Sequence, residues 1–94
     1  MTEPLFPLGQ VVITANAEAA LERRGQLPIA RTMLNRHALG DWGDLDAEDI
    51  QTNNEALRDG NRLLSAYEFG DGFKVWIITE ADRSATTILL PEDY

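Results

Sequence analysis

The C-terminal third of the chain carries the strongest secondary-structure signal in the sequence. Residues 73–80 and 85–90 are two runs of apolar and β-branched residues separated by the short polar segment 81–84. Residues 62–69 precede them with a looser alternation of apolar and polar residues. Gly70-Asp71-Gly72, which separates residues 62–69 from residues 73–80, is typical of a tight hairpin turn. This order predicts three consecutive strands of an antiparallel β-meander.

The middle strand of that meander is apolar on both faces. Val75, Ile77 and Thr79 fall on one face, and Trp76 and Ile78 fall on the other with Glu80. A strand of this kind is usually covered on both sides. We therefore expect a helix layer on one face, and an N-terminal segment, a helix or a partner chain on the other.

The residue pattern of the N-terminal half of the chain is typical of helices. Residues 11–14 suggest a fourth strand, and helices are predicted over 17–24, from Pro28 to Gly40 and over 47–58, the last with Asp46 as N-cap and Ala47, Ile50 and Leu57 as its apolar stripe. The predicted fold is a single α+β domain over residues 1–94. It has a three- to four-stranded antiparallel sheet, about three helices packed on it, and residues 1–8 as a loose N-terminal arm.

The acidic charge is concentrated in one segment of the chain. The formal net charge is −8, and residues 41–59 contain seven acidic residues against one arginine. Nucleic-acid binders need a basic surface to neutralise phosphates, so we expect no direct nucleic-acid binding. An acidic surface favours a basic protein partner or solubility alone.

The absence of cysteine limits the chemistry of the chain. It excludes disulfides, thiolate catalysis and cysteine-based metal centres, and no residue pattern indicates a cofactor or a metal site. No window approaches the ~18 apolar residues of a membrane span, and residues 1–7 do not resemble a signal peptide. We expect a cytoplasmic protein without membrane contact.

The acidic segment is the first candidate site. Its loop places Trp42 among carboxylates. The carboxylates could bind a basic groove in place of phosphates, and the tryptophan could be the apolar anchor of the contact. The alternative is a capped, solvated helix with the tryptophan packed against the core. The candidate partner-binding residues are Asp41, Trp42, Asp44, Asp46, Glu48 and Asp49.

Two weaker candidates complete the set. His37 is the only histidine, and a carboxylate such as Asp41 or Asp44 could pair with it as a general base. Glu80, Asp82 and Arg83 lie in the turn between the last two strands, where exposed functional residues often occur. Each also has an ordinary structural explanation, namely packing at a helix end for His37 and turn formation for the others.

Several blocks of the sequence resemble a known family. The blocks run from Arg36 to Leu45, from Leu63 to Tyr67, from Trp76 to Ser84 and from Thr86 to Pro91. They are similar to small uncharacterised acidic proteins found on plasmids, integrative elements and phage-derived islands, some of which carry labels related to restriction–modification. The resemblance implies a mobile genetic element as the setting and transfers no catalytic or binding residue.

Together these observations lead to one main hypothesis and two alternatives. The main hypothesis is a non-enzymatic protein that binds a basic groove of a host defence complex, as anti-CRISPR or anti-restriction proteins do. One alternative is a small hydrolase or toxin-like enzyme that uses His37 with a carboxylate. The other is a homo-oligomeric regulatory protein, and the sequence leaves open a dimer through the outer sheet face.

Overall fold

The computed structural model describes residues 3–94 and confirms the α+β class. Three α-helices lie in the N-terminal part of the chain, and three of the four strands follow them. The elements are β1 (Gln10–Ile13), α1 (Ala15–Arg23), α2 (Ile29–Ala38), α3 (Ala47–Asp59), β2 (Leu63–Glu68), β3 (Lys74–Thr79), β4 (Ala85–Leu89) and the short 3-10 helix η1 (Pro91–Asp93).

The sheet has the order β1-β4-β3-β2 and is mixed rather than purely antiparallel. The predicted meander is present, because β2 pairs antiparallel with β3 and β3 with β4. The fourth strand corrects the prediction, because β1 runs parallel to β4 with Gln10 opposite Ala85 and Ile13 opposite Ile88. Parallel neighbours need a long crossover connection, and here every other element of the sheet and helix layer lies between the two strands in sequence.

The helices pack on one face of the sheet. The larger core cluster joins Ala17 and Leu21 of α1 and Met33 of α2 to Val75 and Ile77 of β3. Burial of such side chains stabilises the fold by roughly 1.5–3 kcal/mol for each large one. The inner face of β3 thus lies at the centre of the domain, under the helix layer that was expected on one face.

A second core cluster holds α3 against the sheet. It comprises Phe6, Trp42, Ala56 and Leu63.

The N-terminal arm is anchored to the domain, which corrects the prediction of a loose segment. Phe6 is buried, and the Leu5 amide donates to the Ala38 carbonyl at 2.8 Å. Met1 and Thr2, which the prediction also included, lie outside the described residues.

The outer face of the sheet is partly covered by the end of the chain. Ile78 and Leu89 are buried there, and the Tyr94 ring packs edge-on against Trp76 with centroids 5.8 Å apart. The Arg62 guanidinium stacks on Tyr94 and donates to its hydroxyl group. The cover is a C-terminal segment of the same chain, which was not among the predicted alternatives.

The space around Gly43 shows how closely the segment before α3 packs against β2. Its φ is +79°, and an added Cβ would collide with the Ala66 carbonyl oxygen and lie 2.7 Å from Tyr67 Cδ1. We expect Gly43→Ala to lower the free energy of unfolding by about 3 kcal/mol or more, because left-handed strain and a backbone clash add. Gly25→Ala is the matched control: its φ is +67° but the Cβ would meet nothing within 4 Å, so it should lose about 1 kcal/mol. Urea unfolding of both variants measures the difference, and equal losses would contradict close packing at Gly43.

Candidate functional site

The acidic segment folds as a loop followed by the capped helix α3. The Asp46 side chain accepts a hydrogen bond from the Asp49 amide at 2.9 Å, which confirms Asp46 as N-cap. Glu48 and Asp49 lie in the first turn, where negative charge complements the helix dipole. Asp46 therefore has a structural role, and replacing it would affect the helix as well as the surface charge.

Asp41 is held by intramolecular bonds at the start of the loop. Its carboxylate forms an ion pair with the Arg36 guanidinium at 2.7 Å and accepts from the Gly43 amide at 3.2 Å. The hydrogen bond from Arg36 holds the pKa of Asp41 below its usual range. The same guanidinium lies over the Tyr67 ring, 4.7 Å from its centroid. Asp41 thus fastens the end of α2 to the loop.

Asp44 has a similar structural role at the edge of the sheet. Its carboxylate accepts from the Glu68 amide at 2.7 Å. Its own amide donates to the Ala66 carbonyl at 2.7 Å. Asp44 remains exposed, so its charge still contributes to the surface, but the side chain is oriented by β2.

Trp42 does not serve as an exposed anchor, which corrects the main sequence prediction. Only 3% of it is exposed, and its indole N–H donates to Asn54 Oδ1 at 2.9 Å. Its ring stacks on Phe6 and meets His37 edge-on, with centroids 6.2 and 5.6 Å apart. The apolar area of the indole is used inside the domain, as the structural alternative proposed.

The exposed face of α3 carries a stripe of carboxylates, of which only Glu48 was among the candidate residues from the sequence. Glu48, Glu55 and Asp59 lie within about 40° of one another around the helix axis and span about 16 Å. All three are exposed, whereas Asn53 and Ala56 are buried against the domain. Ala47, assigned to the apolar stripe from the sequence, is exposed instead. The spacing of 48, 55 and 59 was the signal that could have identified Glu55 and Asp59.

The stripe is only weakly neutralised by its neighbours. Glu55 accepts from Gln51 Nε2 at 3.3 Å, and Asp59 lies 3.4 Å from the Arg58 guanidinium in an exposed pair. Exposed pairs of this kind stabilise by at most about 1 kcal/mol and leave most of the field in solvent. We call Glu48, Glu55 and Asp59 the acidic stripe.

His37 belongs to a chain of buried hydrogen bonds. It is fully buried, with Nδ1 2.5 Å from Ser65 Oγ and Nε2 2.9 Å from Thr79 Oγ1. Thr79 Oγ1 lies 2.7 Å from Thr86 Oγ1, and the Thr86 hydroxyl donates to the Leu8 carbonyl at 2.7 Å. The chain joins α2, three strands and the N-terminal arm.

The order of donors along this chain assigns the tautomer of His37. The only proton of Thr86 goes to the Leu8 carbonyl, so Thr79 must donate to Thr86. Thr79 can then only accept from the ring, so Nε2 carries the proton and Nδ1 accepts from the Ser65 hydroxyl. A neutral imidazole satisfies every member of the chain.

This geometry does not favour the catalytic interpretation of His37. Both ring nitrogens are bonded to buried hydroxyl groups, and neither bonds to Asp41 or Asp44. Among residues 3–94, no buried side-chain nitrogen or oxygen lacks a hydrogen-bond partner. A general base needs access to the proton that it removes, and His37 has no exposed surface.

The turn candidates separate into one structural residue and two exposed acids. Arg83 has a φ of 62° and donates to the carbonyl oxygens of Asn61 and Glu80 at 2.7 and 3.1 Å. It thereby ties the β3–β4 turn to the end of α3. Asp82 accepts from the Ser84 amide at 3.0 Å within the turn. Glu80 and Asp82 are exposed, so the structure does not bring them together with buried His37.

Within residues 3–94, no group of three or more histidine and acidic side chains is placed to hold a metal ion. No helix in this part of the chain has the length and apolar character needed to cross a membrane. Comparison with family models, curated proteins and solved structures gave no match.

Burial of His37 predicts a loss of stability in mild acid. Burial, with a smaller contribution from nearby Arg83, lowers the pKa of His37 from 6.5 to about 4. The unfolded chain therefore binds a proton near pH 6.5, whereas the folded chain binds it only near pH 4. Stability should fall by about 3 kcal/mol as the pH drops from about 6.5 to about 4, and this contribution should then level off.

Urea unfolding between pH 7 and pH 4 measures this loss. His37→Gln is the control, because glutamine does not titrate: its stability at pH 7 should be lower, but the decline between pH 6.5 and pH 4 should be much smaller. An equal decline in both proteins would show that other groups cause it.

Proposed function

We propose that the protein is a non-enzymatic binding protein that presents the acidic stripe of α3 to a basic surface of another protein. The observation that carries the proposal is the alignment of Glu48, Glu55 and Asp59 on the exposed side of one helix. Asp49 adds a further carboxylate in the first turn. A row of charges on a packed helix costs little ordering entropy when a partner binds.

The position of α3 supports this role. Its buried side is fixed by Asn53 and Ala56, and the Asn53 amide group bonds to both backbone groups of Leu64. The stripe therefore points into solvent from a helix that cannot rotate without breaking these contacts. Charged residues arranged in this way increase association rates and partner specificity more than they increase affinity.

The partner is proposed to be a protein whose basic surface normally binds nucleic acid. Carboxylates along about 16 Å of helix can occupy sites that otherwise hold phosphates. The resemblance to proteins of mobile genetic elements suggests a host defence complex, so that occupation of its groove would act as anti-CRISPR or anti-restriction activity. Both ring nitrogens of His37 are bonded to buried hydroxyl groups, which favours a binding role over the hydrolase alternative.

Charge reversal on the stripe tests the proposal. The double variant Glu48→Lys/Glu55→Lys should retain the fold, because both side chains are exposed, and should lose capture of basic proteins from host-cell lysate. Asp46 is left intact because it caps α3. Captured proteins are identified by mass spectrometry, and added duplex DNA should compete with the wild type for them.

The matched control is Glu3→Lys/Glu22→Lys, which makes the same change in net charge at exposed positions outside α3. It should capture the same proteins as the wild type. Capture of the same set by all three proteins would refute the stripe as a binding surface. Loss of capture in the control as well would show that net charge alone, not the stripe, is responsible.

A further inference from the structure

The two edges of the sheet differ in whether their outward backbone groups are hydrogen-bonded. Along the outer edge of β2, the Leu64 amide and carbonyl bond to the Asn53 side chain. The Ala66 amide donates to the Trp42 carbonyl at 3.1 Å, and the Ala66 carbonyl accepts from Asp44. The Asp44 carboxylate accepts from the Glu68 amide. These groups take the place of a fifth strand, so this edge has little capacity to pair with another chain.

The edge formed by β1 has no such cover. Gln10 and Thr14 donate to the Ser84 and Ile88 carbonyls of the β4 side at 3.0 and 2.9 Å. Because backbone groups alternate in direction along a strand, the amides and carbonyls of Val11 and Ile13 point away from β4. Within the described residues, no hydrogen bond reaches these groups from another part of the chain.

The side chains of β1 also lack the features that protect edge strands. Its sequence is Gln10-Val11-Val12-Ile13, without a charge, a proline or a glycine. Val11 and Val12 are 44% and 40% exposed. Natural edge strands are protected by short length, lysine, proline or a bulge, and β1, with four residues, has only the first of these. The outward amides and carbonyls of this open, apolar strand can pair with an extended segment of another chain.

The charges around β1 indicate what would pair with it. Asp93 lies at the C-terminal end of the strand, where its carboxylate accepts from Thr14 Oγ1 and Asn16 Nδ2, both at 2.7 Å, and from the Leu90 amide at 3.0 Å. Glu18 follows in the first turn of α1 and is exposed. Asp82 lies in the turn whose Ser84 carbonyl accepts from Gln10, at the other end. The sequence contains no lysine or arginine before Arg23. Acidic groups therefore lie at both ends of an apolar strand, and Arg83, which follows Asp82 in the same turn, donates its guanidinium N–H groups to the Asn61 and Glu80 carbonyls.

We propose that the free edge of β1 receives an extended segment of a partner protein, in which apolar residues alternate with or are flanked by lysine and arginine. Main-chain hydrogen bonds to Val11 and Ile13 provide the pairing, exposed Val12 provides an apolar contact, and the carboxylates at both ends select basic residues. A second copy of this chain is a poorer occupant, because each copy carries a net charge of −8 and brings the same acids to the same edge.

The free edge of β1 is a different surface from the acidic stripe, and pairing at this edge does not depend on the stripe. β1 and α3 are separate elements with no strand pairing between them, so each can be altered alone. The Glu48→Lys/Glu55→Lys variant should still pair through β1. Failure of one proposal is therefore distinguishable from failure of the other.

The test uses a synthetic peptide of about ten residues in which lysine alternates with valine. Amide hydrogen exchange of the whole protein is followed by NMR with and without the peptide. The Val11 and Ile13 amides should exchange at least about tenfold more slowly with the peptide bound. The same peptide with every backbone amide N-methylated, and a version with glutamate in place of lysine, should give no protection.

A substitution in β1 provides the matched variant. Val11→Pro removes an outward N–H without removing a bond to β4, so it should retain the fold and lose peptide binding about tenfold or more. Val11→Ala keeps the N–H and should retain binding. If Val11→Pro does not fold, the N-methylated peptide still tests the role of main-chain pairing in the wild type.

Three outcomes would overturn the proposal. One is unchanged exchange at Val11 and Ile13 with the lysine–valine peptide. Another is equal protection by the glutamate peptide, which would remove the argument from charge. The third is protection that rises with protein concentration in the absence of peptide, together with dimers in sedimentation equilibrium, which would make a second copy the occupant.

Discussion

The hydrogen-bond chain through His37 is the interaction on which the arrangement of the layers depends. It starts at Ser65 on β2, passes through the imidazole of α2 to Thr79 and Thr86, and ends at the Leu8 carbonyl of the N-terminal arm. Buried polar groups are costly unless every one is bonded. Because each member is bonded in a fixed order of donors, moving α2 or the arm away from the sheet would leave a buried polar group unpaired.

The aromatic cluster beside this chain explains why the loop before α3 is fixed. Phe6 and Trp42 pack against the His37 ring, and the Arg83 guanidinium lies over Phe6, 5.6 Å from its ring centroid. The cluster excludes water from the imidazole, which is why the neutral form is favoured. It also holds the segment 42–44 against β2, so the same residues that bury His37 close one edge of the sheet.

The proposed binding surfaces lie where this internal network ends. The carboxylates of Asp41, Asp44 and Asp46 are engaged in an ion pair, a strand amide and a helix cap. The acidic stripe is left to solvent because it lies on the side of α3 away from Asn53. The edge of β1 is open because the loop that closes β2 has no counterpart on the opposite side within residues 3–94. Both surfaces lie on elements of regular secondary structure that are bonded to the rest of the domain, which reduces the ordering cost of binding.

The sequence by itself determined the class of fold, the order of helices and strands, the meander and the Asp46 cap, because these depend on residues close together in the chain. The tertiary structure alone decided the parallel direction of β1, since its pairing with β4 joins segments more than 70 residues apart. It also decided the burial of Trp42, the anchoring of Phe6 and the bonding of His37 to Ser65 and Thr79. The inward hydroxyls of Ser65, Thr79 and Thr86 were visible as polar positions in apolar strands. Only the fold could show that they meet one imidazole, because burial and hydrogen-bond partners depend on distances in space that local patterns do not contain.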